Sequence, residues 1–483
     1  MADFSAEEIG KIYTKLTQHF LFNIYAISAD IDVFVAFETM NNRGKPLSNL
    51  ELLKNRLIFL STRLGVDPIE RQKVRSTVNE SWKTVYHYLG RSQRNPIRDD
   101  LFLMIQCTYY YCDSLLARGD VDRAIYRRTL RMMHGDEEYF KQYLLETVFT
   151  SRNINLGKES SDGVSASSIY EYAHDLKSSV CGLYEVLNPY DSKFNDEQKI
   201  LLTKLTRLAS NSVEYLTLVL AAVTRSRKDD LTKFLRELER LLFFGSFGIM
   251  RGERVVFDPV QLVVGLRRGE TSLDVVCAKI TECADEAAKG LETGLLTAER
   301  YSRGFYTWKG VRYFLFEYEE SLRLKAKAKR EKIRWDEFVL EDFEGDYHTV
   351  EHVFPQRPER GEWPAFAKFA ANRKQAMCNS LGNLVALSRP KNSQLGNHSF
   401  LKKCGGEGDD GTGYRVGSYS EIEIAKFGEW TPDAILCRGI RLLDFLEKRW
   451  RLTIGDESAK IRALNLEFLS KPSSSAKKRS SKR

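Results

Sequence analysis

YHTVEHVFPQ (residues 347–356) and NSLGNLVALSRPKNSQLGNHSF (residues 379–400) decide how this chain is read. The first piece alternates Val and Thr with charged residues and ends on an acid–His pair before a proline, the pattern of a short strand running into a loop. The second starts with a Leu-Gly-Asn turn and continues as an apolar strand. It then reaches Ser388, Pro390 and Asn392, a helix-start signal. The expected local shape is strand, strand, helix. Three of the seven histidines of the chain, His348, His352 and His398, fall in or beside it.

The residue types suit phosphodiester hydrolysis. That reaction needs a deprotonated water, and a neutral imidazole near pH 7 is a suitable base. It also needs relief of negative charge, which a hard divalent cation on oxygen ligands supplies. Glu351 offers a carboxylate beside His352, and Asn392 offers an amide oxygen. Water and phosphate would complete the set, which suits Mg²⁺ or Mn²⁺. Each residue also has a plainer reading. His352 alone could be a satisfied core histidine, Glu351 a partner for a surface Arg, and Asn392 a helix cap. Alternation places His348 on the His352 side of the strand, where it could touch phosphate. Arg389 and Lys391 are also placed for phosphate. His398 reads as structural.

These stretches together have the shape of a ββα-metal finger. They resemble the HNH (His-Me finger) domain at the C-terminus of GmrSD-type modification-dependent restriction endonucleases and related phage-defence nucleases. The family pattern appears as EHVFPQ (351–356), GNLVALS (382–388) and Lys391-Asn392. NHSFLKK (397–403) and EWTPDAILCRGIRLLDFLEKRW (429–450) also match, so the resemblance covers roughly 347–450. It implies that His352 is the general base, that Glu351 and Asn392 are metal ligands, and that Asn383 braces the His-bearing loop.

FETMNNRGKPLSNLELLKNRLI (37–58) resembles a second conserved block of the same family, in its ParB-like nucleotide-handling N-terminal domain. The matching positions are Phe37, Asn41, Arg43, Gly44, Leu47, Ser48, Lys54 and Asn55. Asn41, Arg43 and Lys54 are the implied nucleotide-binding residues. Their plainer reading is a turn and a solvated helix face. The family's Asp-Gly-Gln-Gln-Arg motif is absent, so residues 1–65 are expected to be a truncated remnant of that α/β domain. Use of an NTP is then expected only with the missing part, which a separate chain could supply.

Outward from these motifs the chain is ordinary. Its 483 residues exceed one hydrophobic core, and 42% hydrophobic with 29% charged is usual for a globular protein. The start, MADFSAEEIGKIY, lacks a basic region followed by an apolar one, so no secretory signal is expected. No apolar run is long enough for a membrane span. The eight cysteines are scattered; Cys107 with Cys112, and Cys277 with Cys283, are too loosely spaced for a zinc site, and free thiols in a cytoplasmic protein are expected. The net charge is +8, but residues 471–483 carry six of the Lys and Arg and no acid, which leaves +2 on the rest. A Ser/Lys tail of this kind cannot bury a core. Its positive charge could add sequence-independent attraction to phosphate, or serve solubility alone.

A helix is expected over 5–28, with Ile9, Ile12, Tyr13, Leu16 and Phe20 on one side. A strand at DVFVAFETM (32–40) and a turn at 41–46 follow. A helix then opens on a Ser48–Glu51 capping box and carries Leu50, Leu53, Leu57 and Leu60. Long helical segments fill the middle, with no repeat. RYFLFEYEESLRLKAKAKREKIRW (312–335) reads as one long helix with a basic second half. CGGEGDDGTG (404–413) fails the phosphate-loop pattern, because no Gly-Lys-Ser/Thr follows. Residues 433–450 read as a closing amphipathic helix.

The expected architecture is mainly α with α+β parts: a ParB-like remnant (1–65), a helical domain (66–335), an HNH nuclease domain (336–455) and a basic disordered tail (456–483). The expected function is metal-dependent cleavage of DNA in defence against foreign or modified DNA. The alternatives are a non-catalytic, partner-dependent DNA-binding subunit of a split or decayed restriction system, and a nucleotide-sensing regulator with a nuclease output.

Overall fold

The structure, a computed structural model, describes residues 5–20, 47–92, 96–117, 137–155, 163–209, 212–225, 228–247, 257–295, 304–327, 349–405 and 413–470. The expected strand at 32–40, together with Asn41, Arg43 and His348, lies outside them, as does the basic stretch 471–483. The fold is mainly α-helical, with one two-stranded sheet among the described residues. The chain divides into two compact units, residues 1–83 with 140–174, and residues 84–139 with 175–483. These units cut the chain differently from the expected boundaries at 65 and 335.

In the first unit, helix Asn49–Arg63 opens on the Ser48–Glu51 box. Ser48 donates its N–H to the Glu51 carboxylate (2.9 Å), and Glu51 N–H returns to Ser48 Oγ (3.3 Å). Leu50, Leu53, Leu57 and Leu60 are all fully buried, and Trp82 donates its indole N–H to Leu50 O (3.0 Å). Lys54 lies on the half-buried side of this helix. Of the helix expected over 5–28, residues 21–28 lie outside the described residues. The helix runs Ala6–Thr14, passes into a π-turn at Lys15–His19, and stops at Phe20, whose backbone is extended. No residue of Ala6–Thr14 is buried.

The second unit joins the helical middle and the C-terminal region around one core. Helix Lys228–Gly245 packs against Asp196–Ala209 and Leu273–Leu295. Phe243 from its last turn stacks on Trp450 at the end of helix Pro432–Trp450 (centroids 3.6 Å, planes 8° apart). That closing helix ends in a left-handed Arg451 (φ 54°), and Arg240 donates to its orphan carbonyls Trp450 O (2.8 Å) and Arg451 O (3.1 Å). Buried Glu239 accepts from Tyr313, Arg449 and Trp450. The 335 boundary therefore runs through a shared interior.

Two further expectations are corrected. Helix Val311–Lys325 does not continue to 335: Ala326 is extended (φ −72°, ψ 145°). The tail does not start at 456. Asp456 caps helix Glu457–Ala463 through the Ala459 N–H (2.8 Å), and Ala459, Ala463, Leu464 and Leu466 are buried. An apolar surface of that size keeps 456–470 folded, whatever the charge of the residues after it.

Candidate active site

Strands β1 (Thr349–His352) and β2 (Leu384–Leu387) pair antiparallel, with His352 opposite Leu384 and Glu351 opposite Val385. Side chains alternate across a strand, so Thr349 and Glu351 share one face and His352, the last residue of β1, takes the other. Leu384 to Leu387 are all buried, which fixes the register: a one-residue slip would turn Glu351 and His352 over together.

The turn before β2 is pressed onto the closing helix. A Cβ on Gly382 would collide with the Ile435 carbonyl oxygen and lie 2.8 Å from Gly439 N. Arg438, fully buried on the same helix, donates to Gly382 O and Leu384 O (both 2.8 Å). Gly382→Ala should therefore cost about 1–3 kcal/mol of stability, the usual range for overpacking. A thermal melt unchanged from wild type would show that the helix can retreat freely.

Asn383, next in the turn, is 0% exposed. Its Oδ1 accepts from Phe354 N–H (2.8 Å) and Trp430 Nε1–H (3.0 Å). Its Nδ2 donates to Phe354 O and Cys378 O (both 2.9 Å). All four hydrogen-bonding positions of the amide are filled. The side chain is thus sealed from any substrate and ties the loop after His352 to the end of helix Ala371–Asn379.

His352 is buried, with the Tyr306 ring 4.3 Å from its own. Burial pushes the imidazole pKa down to about 4, with Asn379 opposing that effect and the Lys403 charge adding to it. The Gln356 side-chain nitrogen is 3.4 Å from Nε2. If that nitrogen is the amide donor, Nε2 is the unprotonated position. Neither Tyr306 nor Asn379 was visible as a partner in the sequence. Their contacts span 46 and 27 positions, with no local pattern to announce them.

On the opposite face, Asn392 Nδ2 donates to Thr349 Oγ1 (2.9 Å), which itself donates to Leu387 O (2.9 Å). Ser388, not Asn392, caps helix Arg389–Leu395. Glu351 is buried and ion-paired with the ammonium of fully buried Lys403, which also donates to His352 O (3.2 Å). Burial raises the Glu351 pKa and lowers that of Lys403; their mutual attraction opposes both shifts. Lys403 is the main residue that sequence reasoning missed. In FLKK, Lys402 is exposed and Lys403 is enclosed, a distinction that only tertiary packing makes.

The remaining candidates separate. Arg389 is exposed in the first turn of its helix. Lys391 is turned inward instead, ion-paired with buried Glu421 and donating to Gly413 O (3.2 Å), so its expected phosphate contact gives way to a structural one. His398 is half-exposed near Glu359 (3.9 Å). Among the described residues no group of three or more His, Cys, Asp or Glu is arranged to hold a metal. The donors that fit a cation are the hard oxygens of Glu351 and Asn392, on the strand face that carries Thr349. Two protein ligands suit an ion that keeps waters, although Lys403 already neutralises the carboxylate.

Residues 291–445 match the family model described as GmrSD restriction endonucleases, C-terminal domain. The match starts well before 336, in keeping with the shared interior of helix Val311–Lys325 and the closing helix. It does not reach residues 37–58. No curated protein and no solved structure matches the chain. No helix among the described residues is long and apolar enough to cross a membrane.

Proposed function

We propose that this chain is an HNH-type, metal-dependent endonuclease that hydrolyses phosphodiester bonds in DNA, acting in the cytoplasm against foreign or modified DNA. The observation that carries the reading is His352: a buried imidazole, kept neutral at pH 7, at the end of a strand whose following loop is locked by Asn383. A neutral imidazole accepts the proton of the attacking water. Asn383 is a positioning residue, and exposed Arg389 meets the phosphate backbone. Glu351 and Asn392 hold Mg²⁺ or Mn²⁺, which when bound offsets charge at the scissile phosphate. Lys54, together with Asn41 and Arg43, is assigned to nucleotide contact.

The test is cleavage of supercoiled plasmid, unmodified and phage-modified. Mg²⁺ or Mn²⁺ should support nicking or linearisation, and excess EDTA should abolish it. Cutting that persists in EDTA would sink metal dependence.

A second reading, a partner-dependent DNA-binding subunit, is favoured by one observation: the Lys403 ammonium already sits on Glu351. A chain that binds plasmid but takes up no Mn²⁺ at millimolar concentration would support this second reading.

A further inference from the structure

An open cleft of about 400 Å³ is lined in part by Asn379, whose side chain also hydrogen-bonds His352. That is within the range of about 300–1,000 Å³ usual for small-ligand sites. It is bounded by Gly304, helix Ala371–Asn379, and the segment 464–468. The lining is rich in carboxamides, with Asn372, Gln375, Asn379 and Asn465, and contains one cation, Arg373, and one aromatic ring, Phe468. Arg373 and Gln375 are exposed. The Arg373 guanidinium lies over the Phe468 ring (5.3 Å to the centroid). Asn379 belongs both to this wall and to the surroundings of the His352 ring.

The Asn379 side chain hydrogen-bonds the His352 imidazole and so opposes the effect of burial on it. Gly304 makes the close approach possible. It has φ 62°, and a Cβ there would lie 2.6 Å from Asn379 Cβ and Asn379 O. The turn that carries Tyr306 to the imidazole therefore rests directly on Asn379.

We propose that this cleft receives one unstacked nucleobase of the DNA strand, next to the phosphate that faces His352. The inference rests on the nuclease reading. The lining selects for a base rather than a phosphate: carboxamides present a donor and an acceptor side by side, the complement of a base edge, whereas a phosphate uses only donors. An arginine plane backed by an aromatic ring is a stacking platform for a base. The wall formed by Leu464, Asn465 and Phe468 lies beyond residue 445, outside the segment that matches the family.

The test uses the full chain in EDTA, so that nothing is cut. The probes are two single-stranded hexadeoxynucleotides, one with 2-aminopurine at its centre and one with an abasic site there. Binding is read by fluorescence and by competition. The base-containing strand should bind at least tenfold more tightly than the abasic one. The double variant Arg373→Ala/Gln375→Ala, at exposed positions, should remove that difference while thermal melting stays unchanged. Equal affinity for both strands, no binding of either, or an undiminished difference in the variant would overturn the proposal. Plasmid cleavage is scored separately. A chain that discriminates the base without cutting keeps the cleft and loses the nuclease; one that cuts without discriminating does the reverse.

Discussion

His352→Ala should lower the rate of metal-dependent DNA cleavage by about 10²- to 10⁴-fold, the usual contribution of a general base. Its cost in stability should be modest by comparison. The ring packs beside Tyr306, and its side-chain partners are Asn379 and the Gln356 amide. The wild-type pH profile makes the same assignment independently. To accept a proton the imidazole must be unprotonated. Burial lowers its pKa from 6.5 to about 4, so the base remains competent well below the usual histidine range. The rate should hold level as pH falls from 8 through 6.5 and be lost only towards about 4. The same sign governs stability. Between the unfolded and folded pKa values the unfolded chain binds more protons, so acid destabilises the fold as pH falls below 6.5. A variant that cuts like wild type would remove His352 from the chemistry. An acid limb centred at 6.5 would mean that the ring is solvated in the working enzyme.

The parts of this site that the sequence announces are those made by neighbours along the chain. The strand ending at His352, the turn at Leu381–Asn383, the strand that follows it and the closing helix each show in spacing and residue type, and each forms nearly where expected. The Ser48–Glu51 box is of the same kind, since both partners lie within one turn. What the sequence conceals depends on packing between distant segments. Lys403 is fully buried because it meets Glu351 across 52 positions. Lys391 is diverted from phosphate because Glu421 is enclosed beside it. Helix Val311–Lys325 breaks at Ala326, although Lys and Ala around it favour helix; propensity is a weak prior against tertiary context. The folded segment after 456 was hidden for a related reason. Its few apolar residues, such as Leu464 against Gly439, look sparse until the surface that they cover is known.

Asn383→Ala should be the most disruptive single change in the site. The amide serves four partners, and its removal leaves Phe354 N–H, Phe354 O, Cys378 O and the Trp430 indole N–H without it in a dry interior. Each orphaned group costs about 1–3 kcal/mol. Even with a water admitted to the space, the loss should reach about 4 kcal/mol, enough to lower the melting temperature of a domain this size by several degrees. Asn383→Asp should not rescue it, since a carboxylate keeps the two accepted bonds but turns lone pairs towards two carbonyl oxygens and buries a charge. The consequence for chemistry follows from position. Phe354 is two residues beyond His352, and Cys378 directly precedes Asn379, which flanks the imidazole. Loosening the brace therefore shifts the base together with its surroundings, and cleavage should fall in step with the melt. In His352→Ala the two readouts separate, with activity gone and fold retained; in Asn383→Ala they should move together. An Asn383→Ala chain that melts with wild type yet has lost cleavage would make Asn383 a participant in the reaction, despite its complete burial.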